Sequence, residues 1–311
     1  MKTRITLLSL LLVLGLVNLS VAAEQVRYIG FNIYDPVYVA VDQKLFPDEI
    51  QVTVINLIAG GPTAVQAVAT GEAEAGLASV PALYNAVTAG IPVIGVTDLQ
   101  SSFAESPLET FYVRAADPIQ QIRDLAGKRL AVNLVKSSFH YTLQIALMKA
   151  NVSFDAVTWV TLPFDQQPAA LLNDQVDLIG LMEPYATKAR RMIPTTQMRQ
   201  LFTASDVWGK KQFGLHFVNA QWAVTHPRAA VAFVSGIVRA VAWMQVHQPE
   251  TQRIMAAALH MEVDDIPSLY RYQPDARINE TDIAWWGQTL GATVSPSRVA
   301  TNLYNIALRG K

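Results

Sequence analysis

The sequence predicts an α/β fold of two lobes followed by a helical C-terminal tail. Three patterns carry that expectation. Short β-like runs alternate with amphipathic helical runs from residue 26 to residue 192. The strand series breaks near 99–112 and again near 213–223. Beyond residue 224 the chain is mostly helical.

The elements follow in order. VRYIGF (26–31) is a strand, and DPVYVAVDQKLF (35–46) a helix with Asp35 as N-cap and Pro36 at its first position. IQVTVINL (50–57) alternates and is rich in β-branched residues, which predicts a strand. Gly60-Gly61-Pro62-Thr63 turns into a helix that stops at Gly71. AEAGLAS (73–79) is a strand, Pro81 starts a helix ending at Gly90, and IPVIGVTDL (91–99) is a strand. The connections suit parallel strands joined by crossover helices. The pattern then repeats: strand ETFYVRA (109–115), strand LAVNLV (130–135), helix 138–150, strand VTWVTL (157–162), a helix near 166–173, strand VDLIGLM (176–182) and helix PYATKARRM (184–192). FGLHFVNAQWAV (213–224) leads to the late helices.

The two breaks are the expected crossings between lobes. They divide the chain into 24–112 (first part of lobe 1), 113–213 (lobe 2) and 214–311 (return to lobe 1 and C-terminal helices). Residues 1–23 form an expected secretory signal. Lys2 and Arg4 precede an apolar run, and Val21-Ala22-Ala23 supplies small residues for cleavage after Ala23. That predicts export to the periplasm. No later segment is expected to span a bilayer.

Composition excludes several function classes. The chain has 311 residues, 51% of them hydrophobic, and a net charge of −1. That content supports a large core, and the charge gives no basis for nucleic-acid binding. With no cysteine, disulfides, thiolate metal sites and a cysteine nucleophile are excluded. His140, His216, His226, His247 and His260 lack metal-ligand spacing. No G-x-S-x-G, phosphate-binding loop or dinucleotide fingerprint is present, so no cofactor and no metal is expected.

Several stretches resemble a known family. They are GGPTAVQAVATGEAEAGLASVPALYNAVTAGIPVIGV (60–96), IRDLAGKRLAVNLVKSSFHYTLQIALMKANV (122–152), LLNDQVDLIGLMEPY (171–185) and HPRAAVAFVSGIVRAVAWMQVHQPETQRIMA (226–256). Their order and spacing resemble periplasmic solute-binding proteins of the nitrate/sulfonate/taurine type, which include thiamine-pyrimidine-binding relatives. Asp174 stands where that family usually has glycine, and Leu178 where alanine is common. The resemblance implies a type II periplasmic-binding-protein clamp, monomeric, that closes on a small solute. It also implies an ABC permease of the inner membrane as partner. The alternative is a pyrimidine-synthesis-type enzyme or a sensor domain on the same fold. The enzyme would normally carry reactive cysteines.

Doubly wound sheets bind ligands beyond the carboxyl ends of their strands. That rule selects Phe31, Asn32, Tyr34, Gly60, Gly61, Thr63, Ser79 and Val80 from lobe 1 as ligand-binding candidates. From lobe 2 it selects Ser137, Ser138, Phe139, Phe164, Asp165, Glu183 and Tyr185. Gly60 and Gly61 either bring backbone close to a ligand or simply form a turn. Ser79, Ser137 and Ser138 either contact ligand or cap helices. Lys136 is expected in solvent. The aromatic candidates, with Trp208 a further addition, suit an organic ligand with a flat or apolar part. The lack of arginine suits a neutral or singly charged one. Asp35, Asp165 and Glu183 either receive an amine or serve as caps and, for Glu183, as a partner of Lys188.

Overall fold

The computed structural model describes residues 22–57, 60–101, 107–268 and 275–302. The expected signal lies outside them except for Ala22 and Ala23, as does the end of the last expected helix.

The chain begins with β1 (Glu24–Phe31), α1 (Pro36–Asp42), β2 (Ile50–Leu57), α2 (Gly61–Ala69), β3 (Ala75–Ser79), α3 (Val80–Thr88) and β4 (Val93–Ser101). There follow β5 (Glu109–Arg114), β6 (Arg129–Val132), α4 (Ser138–Lys149), β7 (Thr158–Thr161), α5 (Gln167–Leu172), β8 (Ile179–Met182), α6 (Tyr185–Met192), β9 (Met198–Thr203) and α7 (Ala204–Trp208). The chain then forms β10 (Gln212–Asn219), α8 (Ala220–Thr225), α9 (Pro227–Val246), α10 (Gln248–Leu259), α11 (Glu280–Thr289) and α12 (Pro296–Val299).

These strands form two separate layers. The first sheet has the order β2-β1-β3-β10-β4. The second has β8-β5-β9, beside the β6-β7 pair, and a backbone bridge between Leu130 and Leu178 ties the pair to it. All of β5–β9 therefore belongs to the second layer, and β10 carries the chain back to the first. Pairing in the second layer starts at Glu109, ahead of the expected boundary at 113.

The parallel pairing expected of strands joined by crossover helices holds for β1 with β2 and β3, and for β6 with β7. It fails at the crossings. There β10 runs antiparallel to β3 and β4, and β5 runs antiparallel to β8 and β9. A strand entering a sheet directly from the other lobe has no crossover helix to force parallel alignment. Neither β9 nor α7 has a counterpart among the elements expected from sequence. Asp206 reaches back to the start of α7: the Thr203 N–H and hydroxyl both donate to its carboxylate, at 2.7 and 2.8 Å.

Local chemistry explains the first lobe. Asp35 accepts the Val37 N–H at 2.9 Å, as an N-cap should. In β1, Val26 and Tyr28 are fully buried, while Arg27 on the other face pairs with Glu74. One expectation needs correction: α9 has 20 residues and a mean hydropathy of 1.6, long and apolar enough to cross a bilayer. Its Phe233, Val234, Ile237, Ala240 and Val241 are instead fully buried in the core, where it packs against α1. A helix buried on most sides reads like a membrane span by composition alone.

Candidate functional site

A cavity of about 740 Å³, its open mouth included, lies between the two layers. The first lobe contributes Phe31, Asn32 and Ile33 from the loop after β1, and Gly60, Gly61 and Pro62 from the start of α2. It adds Leu77, Ala78 and Ser79 from β3, Leu99 from β4, and Phe213 and Gly214 from β10. The second lobe contributes Asn133, Ser137, Ser138 and Phe139 around the start of α4. Pro163, Phe164, Asp165, Met182 and Tyr185 complete the wall.

Three helices, α2, α3 and α4, begin at this cavity. Gly60 precedes α2 with φ of 139°, a conformation that L side chains rarely adopt. A Cβ on Gly61 would meet backbone Ala78 Cα at 3.2 Å, so this turn lies close against β3. At α3, Ser79 Oγ accepts the Ala82 N–H at 3.3 Å, which leaves its own proton to donate into the cavity. At α4 the N-cap Ser137 makes no side-chain capping bond. Ser137 is 3% exposed, and its Oγ has no hydrogen-bond partner among the described residues. A buried hydroxyl without a partner is uncommon and costs stability. Its position beside the unpaired N–H groups of a helix start suits a ligand acceptor atom.

Charge follows from the same geometry. Among the described residues no lysine or arginine lines the cavity, and Asp165 is its one acidic residue. Each helix start carries about half an elementary positive charge. With Asp165 opposing them and no guanidinium or ammonium in the described lining, these partial charges suit one negative charge better than two.

The second-lobe part of the wall is largely aromatic. Phe139 and Phe164 have ring centroids 5.1 Å apart, and Phe164 and Tyr185 5.4 Å. Burial, with the Asp165 carboxylate adding to it, raises the Tyr185 pKa above the ordinary phenol range. Tyr185 therefore presents a neutral hydroxyl.

The structure brings together Phe31, Asn32, Gly60, Gly61, Ser79, Ser137, Ser138, Phe139, Phe164, Asp165 and Tyr185. It places four candidates elsewhere. Tyr34, just before α1, is 4% exposed and Val80, the first residue of α3, 0%; both are packed in the hydrophobic core. Thr63 lies inside α2, past the turn that reaches the cavity. Glu183 accepts from Arg190 at 2.7 Å and from the Thr187 N–H at 3.0 Å, so its lone pairs serve α6. Its expected partner, Lys188, instead lies 3.8 Å from Asp265. Asp35 is fully buried and also lies away from the cavity, as does Trp208, which stacks on Phe213 and meets Trp286 edge-on. Lys136 is exposed and holds a left-handed φ of 64°.

Residues missed by sequence reasoning have a common cause. Phe213 and Gly214 sit at the beginning of β10, which the carboxyl-end rule passes over. Because β10 runs antiparallel, its beginning lies beside the ends of its neighbours. Leu77, Leu99 and Met182 are strand residues whose side chains reach the gap. Ile33, Pro62, Ala78, Asn133 and Pro163 lie within a few residues of chosen positions.

The fold is the type II periplasmic-binding-protein clamp. The family model described as "NMT1/THI5 like" matches residues 33–251. The chain belongs to that family. No curated protein matches the chain. Among solved structures, the alkanesulfonate-binding protein SsuA of Xanthomonas axonopodis pv. citri, bound to MOPS, is similar with a TM-score of 0.71 at 19% identity, over 92% of this chain and 99% of that one. The periplasmic nitrate-binding protein NrtA of Synechocystis PCC 6803 matches with a TM-score of 0.73 at 13% identity, over 93% and 89%. A cysteine-to-serine mutant of DSZB in complex with biphenyl-2-sulfinic acid matches with a TM-score of 0.67 at 14% identity, over 93% and 99%. At these identities the likeness concerns the fold.

Proposed function

We propose that this chain is the exported solute-binding component of an ABC importer. It binds a small organic monoanion, sulfonate-like or carboxylate-like, in the gap between its lobes. The observation that carries the reading is the buried, unpartnered Ser137 Oγ at a helix start, in a cavity whose described lining also holds Phe139, Phe164 and Tyr185 and has no arginine. The helix starts and hydroxyls take the charged head, and Phe164 and Tyr185 take the apolar part. A bare inorganic anion would use the first and leave the second idle.

Two neighbours on this fold hold organic sulfur oxyanions, MOPS and biphenyl-2-sulfinic acid. That supports the ligand class by analogy of fold. Closure would bring the lobes together and remove water from the solute, and the closed form would dock on a membrane permease. Export would use the basic start and apolar run at 1–23, with cleavage after Ala23. Turnover is not part of the proposal. The chain has no cysteine, and no group of three or more His, Asp or Glu among the described residues could hold a metal.

A thermal-shift screen of the chain from residue 24, with alkyl and aryl monosulfonates, monocarboxylates, nitrate and pyrimidines, tests this. An organic monoanion should raise the melting temperature in a saturable way, by several degrees at a hundredfold excess over Kd. A response to nitrate alone, or to neutral pyrimidines alone, would overturn the ligand class.

A further inference from the structure

Glu109 opens β5 and does not line the cavity. It is 0% exposed, and neither carboxylate oxygen has a hydrogen-bond partner of good geometry among the described residues. The polar groups facing it are the hydroxyls of Ser138 and Thr142, one turn apart on α4. Thr142 Oγ1 accepts the Trp208 indole N–H at 3.2 Å, so its own proton remains to be donated. Ser138 is the shared group: it faces Glu109 on one side and lines the cavity on the other.

A hydroxyl has one proton to give. An ionised Glu109 accepts only, draws the Ser138 proton backward and turns a lone pair toward the cavity. A neutral Glu109 can donate to Ser138 Oγ, which directs the Ser138 proton at the ligand. We propose that Glu109 is a positioning residue that must be protonated for the cavity to hold its anion, so that binding draws one proton from solvent. The inference rests on the monoanion reading above. The proton stays on Glu109, and no other bond changes.

Burial agrees with this, pushing the Glu109 carboxyl up to about 7 against the opposing pull of the Thr142 and Ser138 hydroxyls. The charged groups on the elements packed around it are otherwise engaged or remote. Glu183 beyond β8 pairs with Arg190. Arg199 on β9 donates to the Asp117 and Ile119 carbonyls, and Asp206 on α7 is held by Thr203. Lys136 is exposed, and burial with Lys136 lowers the His140 pKa. A bound anion adds like charge near Glu109 and raises its proton affinity further.

The test is carboxyl carbon NMR of glutamate-labelled protein, with Glu109 assigned by E109Q, alongside calorimetric titration of benzenesulfonate, methanesulfonate and benzoate. Glu109 should titrate near neutrality in the free protein, and higher with probe bound. Probe affinity should fall about tenfold per pH unit between the two midpoints. E109Q, whose amide can donate to Ser138, should keep the wild type's low-pH affinity at every pH. If E109Q does not fold, S138A serves: it should lower affinity at about pH 6 and flatten the slope. A Glu109 midpoint in the ordinary carboxylate range overturns the proposal. So does a flat wild-type affinity, or a variant that keeps the wild-type slope. If no probe binds at any pH, the monoanion reading fails and takes the coupling with it, while the NMR still shows how Glu109 titrates.

Discussion

His216 Nε2 lies 3.0 Å from Asp35 Oδ1, with both side chains fully buried. Asp35 Oδ2 also accepts the Tyr28 hydroxyl at 2.5 Å, and His216 Nδ1 lies 2.8 Å from Thr97 Oγ1. The chain of bonds runs from β4 through β10 to the loop after β1. It fixes the segment that carries Phe31, Asn32 and Ile33 to the cavity. Tyr38 adds to this by donating its hydroxyl to the Phe31 carbonyl at 2.6 Å.

Replacing Asp35 by alanine uncaps α1 and strips Tyr28 and His216 of an acceptor inside the core. Each buried polar group left unpaired costs about 1–3 kcal/mol, and the cap about 1. Urea unfolding of D35A should show a loss of at least about 3 kcal/mol on this basis. A loss within about 0.5 kcal/mol, the range of neutral surface changes, would mean the network contributes nothing to stability.

Ser137 should behave in the opposite way. Its Oγ is buried and unpartnered, so S137A removes a penalty and should leave stability unchanged or raise it by up to about 1 kcal/mol. The same substitution, combined with S138A, should weaken binding about 10- to 100-fold if two hydrogen bonds to the anion are lost. A drop in melting temperature for S137A would show that the hydroxyl serves the fold.

Glu109 makes a separate stability prediction. An acid whose folded pKa is raised stabilises the fold in its neutral form, and stability declines as pH climbs from the unfolded value to the folded one. The window runs from about 4.5 to about 7. Across it, the wild type should lose about 3 kcal/mol relative to E109Q. Chemical denaturation at the two ends of the window measures this. Parallel pH profiles would contradict burial of an ionisable carboxyl.

Asp177 titrates the other way. The Arg129 guanidinium, its largest influence, with Arg114 beside it, holds the carboxyl well below the usual carboxylate range. Its stabilisation is present above about pH 4 and fades as pH falls toward the depressed value. D177N should therefore be less stable than wild type at pH 6, with the gap narrowing in acid. A constant gap in acid denaturation curves would contradict the ion-pair account.

Much of this architecture was legible in local chemistry. Asp35, Ser79 and the Gly60-Gly61-Pro62 turn mark helix starts by residue type, and the structure puts all three helices where those signals fall. What local signals lack is strand direction. The antiparallel entry of β10 depends on where the other lobe releases the chain, and that is why Phe213 was missed. The fate of Glu183 was hidden for a similar reason. Lys188 and Arg190 are both near in sequence; in the fold Arg190 also donates to the Tyr112 hydroxyl at 2.9 Å, while Lys188 lies toward Asp265. Glu109 gave no signal, since an acidic residue opening a strand suggests solvent.

Titration calorimetry with the stabilising organic monoanion, followed by mass-spectrometric recovery of that compound, tests the central claim most directly. The account predicts one molecule held per chain, returned chemically unchanged, with affinity sharply reduced in the double serine variant. Conversion of the compound, or full affinity without the two hydroxyls, would contradict it.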